Sequence, residues 1–399
     1  MIVNHLTMTN LGSRIEDMRN TGGIAAGPGL RWGITVALIV LVSFGHLANQ
    51  LSLAGDSNFT TLEIADLDKP WAMTFLPDGR LLVTEKPGNL LLIGGDGAIQ
   101  NISGVPDVAY GGQGGLGDVV LHPDFESNQL IYLSFAEAGD GGYGAAVVRA
   151  KLDLNDAGNS LEGLQTIWRQ EPKVKGQGHY GHRIAFGPEG YLWISSGERQ
   201  KFDPAQDMQS NMGKIVRLQD DGSIPPDNPF ANQGGVTAQI WSLGHRNPLG
   251  LAFDDNGRLW AAEMGPAGGD ELNLIERGAN YGYPVVSNGD HYSGRDIPDH
   301  DQRPDLNAPA ISWTPVISPA SLMFYSGDEF PDWRGSALLA GLSSTGLVRV
   351  VFDDDEAVEA ERIPMGARIR DVKQGLDGSI WVLEDDRDDS KGRLLRLMR

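Results

Sequence analysis

Residues 71–83 read WAMTFLPDGRLLV, a strand, an Asp-Gly turn and a second strand in thirteen letters. The unit returns along the chain. Residues 117–135 hold GDVVLHPD and LIYLSF, residues 183–194 hold RIAFGPEGYLWI, and residues 250–260 hold GLAFDDNGRLW. A looser copy spans SLMF and ALLA at 321–340, and the last is RDVKQGLDGSIWVL at 370–383. About six copies, roughly 45 to 75 residues apart, predict an all-β fold of propeller type. Apolar residues alternate at period two and Asp-Gly pairs break each run, so helices are not expected. The uneven spacing places long loops between the repeats, where functional residues concentrate. The charge run DDDEAVEAE at 353–361 reads as a solvated turn.

Composition narrows the function. A formal charge of -21 excludes an electrostatic nucleic-acid binder and suits a protein that holds divalent cations. With no cysteine among 399 residues, disulfides, thiol catalysis and Cys-ligated metals are excluded. The apolar run Trp32 to Gly45, behind Arg31, has the length of a signal-peptide core, and Ser52-Leu53-Ala54 offers a cleavage site after Ala54. Residues 1–54 are therefore expected to be a signal peptide or membrane anchor of an exported, periplasmic protein. Residues 55–399 are expected to form the propeller domain.

The richest stretch runs from Trp241 to Tyr292. It holds Gly244-His245-Arg246-Asn247-Pro248 at the end of one strand, the alternating run Leu251 to Ala262 as the next, a Gly265-Pro266 turn and the acidic pair Asp270-Glu271. Turn carbonyls followed by carboxylates are hard oxygen ligands suited to calcium. Gly112-Gln-Gly114-Gly-Leu-Gly117 matches the dinucleotide fingerprint, but a strand follows where that motif needs a helix N-terminus. Its glycines instead allow close backbone approach, with Gln113 as a polar finger. His179 sits in a Gly-flanked loop just before a repeat, either as a structural histidine or facing a cavity as a general base; His182 lies three residues on. Arg368 and Arg370 alternate on a strand, so both guanidinium groups face one side. They imply an anionic ligand, or else buried carboxylates of the protein itself.

Six segments in order carry a resemblance. They are GGQGGLGDVVLHPDF (111–125), GHYGHRIAFGPEGYLWISSGE (178–198), NMGKIVRLQDDGSIPPDNPF (211–230), GHRNPLGLAF (244–253), EMGPAGGDELNLIERGANYGYP (263–284) and RIRDVKQGLDG (368–378). Together they resemble the soluble pyrroloquinoline-quinone-dependent sugar dehydrogenases, over residues 60 to 399. The resemblance implies a six-bladed β-propeller with four-stranded antiparallel blades, binding pyrroloquinoline quinone (PQQ) and Ca2+ on one face. By position it implies His179 as catalytic base and Arg246 with Asn247 as the pair that polarises the quinone oxygen. Further cofactor contacts would come from Gln113, Tyr292, Ser343, Ser344, Thr345, Arg368 and Arg370. The carbonyls of Gly265 and Pro266 would hold the active-site calcium, and Glu271 and Tyr281 a second, structural one. The implied activity is oxidation of aldoses to lactones, with electrons passed to an external acceptor, in a monomer or homodimer.

Two positions depart from soluble glucose dehydrogenase. The Ser343-Ser344-Thr345 loop has no lysine, and Gly178 stands where that enzyme has an acid. Both move the chain towards the broader aldose group. A calcium-dependent lactonase, or a non-catalytic binding propeller, would share the fold. A lactonase has no need for Gln113, Arg246, Arg368 and Arg370 converging on a large planar anion.

Overall fold

The computed structural model describes residues 59–155, 158–354 and 356–399. The expected signal segment and its boundary at residue 54 lie outside the described residues. Strand β1 (Thr60–Asp66) is followed by two groups. The first comprises β2 (Pro70–Phe75), β3 (Leu81–Glu85), β4 (Asn89–Ile93) and β5 (Ile99–Ser103). The second comprises β6 (Leu116–Leu121), β7 (Leu130–Gly139), β8 (Gly142–Asn155) and β9 (Gly158–Arg169). Next come β10 (Gly181–Phe186), β11 (Leu192–Ser196), β12 (Lys214–Leu218) and β13 (Ile240–Leu243). A further sheet uses β14 (Pro248–Phe253), β15 (Leu259–Glu263), β17 (Asp270–Leu274) and β19 (Ile311–Trp313), with a small ladder of β16 (Ala267–Gly268) and β18 (Gly289–Asp290). The chain ends with β20 (Pro319–Phe324), β21 (Ala337–Gly341), β22 (Gly346–Asp353) and β23 (Glu356–Pro364), then β24 (Ile369–Gln374), β25 (Ile380–Glu384) and β26 (Arg393–Met398).

Within each group the strands pair antiparallel with their sequence neighbours. The last sheet is ordered β1-β26-β25-β24, so the chain's first described strand completes it. Strands β2 to β9 form one eight-stranded sheet rather than two separate ones. The joint is narrow: the outer strands β5 and β9 meet in parallel only at Ile102–Asn159 and Ser103–Ser160. Edge strands with open N–H and C=O groups pair where they come close, which is the reason for the merger.

The first strands of the six groups, β2, β6, β10, β14, β20 and β24, touch one another in a closed cycle. The apolar core follows the same cycle. Each hydrophobic cluster joins consecutive groups, from Trp71 with Leu133 to Trp381 with Val83, and the first also takes in Leu249 of β14. Second strands such as β3, β11 and β15 are buried at every residue, because sheets pack on both of their faces. Period-two alternation is therefore confined to more peripheral strands. The acidic run at 353–361 is corrected in part: Asp354 lies in an exposed turn, but Glu356–Pro364 is strand β23. It is an outer edge strand, and charge there is compatible with pairing on one side and solvent on the other.

One buried residue ties the ring together. Arg183, on β10, is 3% exposed. Its Nε donates to the Leu249 carbonyl at 2.8 Å and its Nη2 to those of Ala320 at 2.7 Å and Arg370 at 3.4 Å. Its Nη1 lies 3.3 Å from both Asp118 and Asp371, and its Cζ stacks 4.1 Å from the Trp71 ring centroid. These partners belong to β14, β20, β24, β6 and β2. Removing one partner of a buried ion pair leaves an uncompensated charge. Arg183→Met should therefore cost about 3–5 kcal/mol of stability by denaturant unfolding. A loss below about 1 kcal/mol would show that the ring does not depend on it.

Candidate active site

At one end of the strands, loops that precede first strands meet loops that follow second strands. Gln113, His179, Arg246-Asn247, Ser318 and Arg368 come from the former; Lys86, Met264 to Pro266, Leu342 and Asp385 come from the latter. They line two adjoining cavities of about 760 and 430 Å³, which share Gln113, Met264 and Ser318 as walls.

His179 is in the smaller cavity's wall, with φ of 47°, a left-handed conformation that side chains other than glycine rarely adopt. Its backbone N–H donates to Gln113 Oε1 at 2.7 Å. Its Nδ1 lies 2.5 Å from Glu198 Oε1, and Nε2 has no protein partner among the described residues. Glu198 is fully buried, and its other oxygen accepts the Lys201 and Phe202 N–H groups. Burial opposes its ionisation, but the hydrogen bond and charge of His179 outweigh that and hold its carboxyl below the usual range. Burial, with Arg246 nearby, pushes His179 below the ordinary histidine value despite the raising effect of Glu198. A neutral ring with Nδ1–H held by Glu198 presents a basic Nε2. His182 differs. It is buried against Trp71 at 4.9 Å and bonded to Ser134 at 2.8 Å, and burial lowers its pKa to about 3.

Arg246 is 5% exposed. Its Nη1 donates to the Met264 carbonyl at 2.8 Å and its Nη2 to the Tyr292 hydroxyl at 3.3 Å, while the buried Nε has no partner. A buried unpaired guanidinium N–H beside a cavity calls for an acceptor. Asn247 is buried, with Oδ1 accepting the Gly181 N–H at 3.2 Å. Tyr292 is exposed.

The far wall of the larger cavity is cationic. Arg368 and Arg370 do converge, on Asp385: Arg368 Nε donates at 3.0 Å, and Arg370 Nε and Nη2 at 3.1 and 2.9 Å. The protein thus supplies one carboxylate itself, yet both Nη groups of Arg368 have no partner among the described residues. Lys86 joins this wall, and burial followed by repulsion from Arg370 lowers its pKa. An internal carboxylate with three cations leaves a surplus of positive charge facing the cavity, which fits a planar polycarboxylate.

Gly265 and Pro266 line the smaller cavity. A side chain on Gly265 would collide with the Gly268 and Gly269 carbonyls, so only glycine fits this oxygen-rich turn. Asp270 braces it, accepting from the Gly265, Ile317 and Ser318 N–H groups at 2.8, 2.8 and 2.6 Å. Burial raises its pKa to about 6. No group of three His, Asp or Glu with metal-binding geometry occurs among the described residues, but carbonyl oxygens are of a different kind. Glu271 faces Glu263 across β15 and β17, and both accept from the Asn273 amide at 3.1 Å. Burial first, then the Glu263 charge, keeps the Glu271 carboxyl well above its usual pKa, and the buried Asn273 Oδ1 has no partner. A cation would relieve both strains. The Tyr281 phenol is already engaged with Leu274 and Glu276, so only its carbonyl could serve, and that accepts from His300 at 3.1 Å. The 343–345 loop stands apart: neighbouring Leu342 and Ser318 line the larger cavity, Ser343 reaches it only through Ser318 at 2.5 Å, and Ser344 Oγ is buried without a partner.

Sequence reading missed Lys86, Glu198 and Asp385. The available signal was positional: each follows the second strand of its repeat, in register with Met264-Gly265.

A family model described as glucose/sorbosone dehydrogenase matches residues 67–396, and the chain belongs to that family. Aldose sugar dehydrogenase YliI of Escherichia coli is 40% identical over 339 residues, covering 83% of this chain and 90% of that protein. Quinoprotein glucose dehydrogenase B of Acinetobacter calcoaceticus is 33% identical over 88% of this chain and 91% of its own. The PQQ-bound structure of an aldose sugar dehydrogenase from Streptomyces coelicolor superposes with a TM-score of 0.70 at 29% identity, over 85% of this chain and 98% of that one.

The His179 titration follows from its surroundings. In the cofactor-free protein, NMR should give a pKa below about 6.5. Glu198→Gln removes the raising carboxylate and should lower it further. A pKa above the ordinary value, or a rise in the variant, would overturn the assigned balance.

Proposed function

We propose that the chain is a PQQ-dependent dehydrogenase that oxidises the anomeric hydroxyl of aldoses to lactones, built on a six-bladed β-propeller with four strands per blade. The carrying observation is His179 Nε2, without a protein partner among the described residues, beside the Arg246 guanidinium in one cavity, with Lys86, Arg368 and Arg370 in the wall of the adjoining one. Membership of the glucose/sorbosone dehydrogenase family supports it. The cavities fit a quinone whose carboxylates meet Arg368, Arg370 and Lys86, with Gln113, Asn247 and Tyr292 along its edges. The Gly265 and Pro266 carbonyls fit Ca2+. When bound, PQQ with Ca2+ supplies the two-electron acceptor for the anomeric hydride. His179 takes the hydroxyl proton on Nε2, Glu198 holds the imidazolium that results, and Arg246 supplies positive charge where negative charge develops. Electrons leave to an external acceptor. Export to the periplasm is supported by the apolar run at 32–45; among the described residues no helix is long and apolar enough to cross a membrane.

The test is reconstitution. Activity should require both PQQ and Ca2+, and nicotinamide should not replace the quinone. His179→Ala should lower turnover by about a hundredfold or more with cofactor binding retained, and His182→Ala much less. Equal activity of stripped and loaded protein would sink the reading, and equal effects of the two substitutions would remove His179 as base.

Substrate preference should be broad. Most polar groups in the cavities address the quinone, and few remain for sugar hydroxyls. Strong discrimination needs buried groups that the wrong substrate leaves unpaired. Glucose, galactose, xylose and maltose should all be oxidised with weak binding. A preference above about a thousandfold for one of them would contradict this.

A further inference from the structure

A third cavity, of about 360 Å³, lies at the opposite end of the same strands. It opens between the turn joining β10 to β11 and the turn joining β14 to β15. Strand β10 runs from Gly181, in the wall of the larger cavity, to Phe186, one residue from Gly187 in this one. Six strand residues separate the two ends by ~17 Å, so a ligand here touches none of the groups assigned to oxidation.

Its walls are aromatic: Tyr191, Trp193, Trp241 and Phe253. Trp193 meets Trp241 edge-on at 4.9 Å and Phe253 at 5.9 Å. The Arg217 guanidinium is wedged between rings, 4.4 Å from Tyr191 and 4.5 Å from Trp241. Trp193 is 7% exposed and Arg217 3%. Both carry a donor with no protein partner among the described residues, the Trp193 indole N–H and Arg217 Nη1. Neither belongs to the fully enclosed unpaired atoms, as the Trp241 indole N–H does. Since these side chains line the cavity, their accessible donors face it. The remaining Arg217 nitrogens are engaged, Nε with Asn228 at 2.8 Å and Nη2 with Asp227 at 2.5 Å. Gly187 keeps the approach open, because a Cβ there would lie 2.9 Å from Trp193 Nε1 and 3.0 Å from Phe253.

We propose that this crevice is a second, non-catalytic binding site for a pyranose ring of a neutral saccharide. Aromatic faces accept the apolar C–H face of a sugar ring, as they do other weakly polar surfaces. The two inward donors need acceptors, which sugar oxygens provide and a hydrocarbon does not. The exposed carboxylates of Glu189 and Glu276, also in the wall, accept from hydroxyls and repel an anion. Arg217 is paired with Asp227, and Arg258, also in the wall, with Asp254, so no net positive charge remains to draw one in.

The test uses the full chain without cofactor and methyl α-glucopyranoside, whose blocked anomeric centre cannot be oxidised. Calorimetric or NMR titration should show binding with Kd of about 1–10 mM. Trp193→Phe, which removes the indole N–H, and Tyr191→Ala, which removes a half-exposed wall, should each weaken binding by about tenfold. Tyr292→Ala, at the other end, should leave it unchanged. The two crevice variants should keep the aldose oxidation rate of the reconstituted enzyme. If Trp193→Phe lowers the melting temperature, Tyr191→Ala still decides the outcome. No binding up to about 100 mM overturns the proposal, as does a loss that follows Tyr292→Ala instead. Because the titration needs neither quinone nor turnover, its failure is distinct from failure of the dehydrogenase reading.

Discussion

A single buried guanidinium holds the ring of strands at its centre. Arg183 gives hydrogen bonds or charge contacts to residues on β6, β14, β20 and β24 and stacks on Trp71 of β2. Two buried carboxylates face it. Burial raises the pKa of Asp118, and Arg183 opposes the rise. Asp118 and Asp371 also reach outward, to the Ile184 and Met73 N–H groups at 2.8 and 2.9 Å. Such a hub does not maximise stability, since buried ion pairs roughly offset their desolvation. It sets the geometry in which six strand groups converge, although Asp371 Oδ1 is left with the Arg183 charge and no hydrogen bond.

That convergence builds the active end. Each first strand starts, and each second strand stops, at the same level of the ring, so one residue or two from each repeat face a common space. Side chains held on strand ends are positioned by the whole sheet behind them. His179 illustrates the result. Glu198 orients its ring, Gln113 from the neighbouring repeat pins its backbone, and burial with the Arg246 charge keeps it neutral. The opposing cations gather where Lys86, Arg368 and Arg370 come from the first and last repeats, which are adjacent only because the ring closes.

The repeats themselves were legible along the chain. Asp-Gly turns between short apolar runs impose hairpins locally, and their recurrence announces a fold of stacked sheets. The polar residues flanking those runs, from Gln113 and His179 to Arg246 and Arg368, were legible for the same reason. Gln113 and His179 stand in Gly-rich loops that precede strands, as their glycines suggest, whereas Arg246 reads as a strand end and Arg368 as a strand residue, and both prove to stand just before one.

Tertiary structure decided what depends on contacts between distant segments. Pairing of β1 with β26 leaves no trace in either segment, because an edge strand is defined by what lies beside it. Fusion of β5 with β9 is likewise set by proximity alone. The solvated-turn reading of 353–361 holds at Asp354 and fails from Glu356 on, because charge at an outer edge and charge in a turn look alike in one dimension. Asp385 between Arg368 and Arg370 is an ion-paired carboxylate, and Glu198 behind His179 a hydrogen-bonded one, each formed across 15 to 19 positions of sequence. Composition and periodicity report a residue's own preference for strand, turn or solvent. They do not report which charge folding will place beside it.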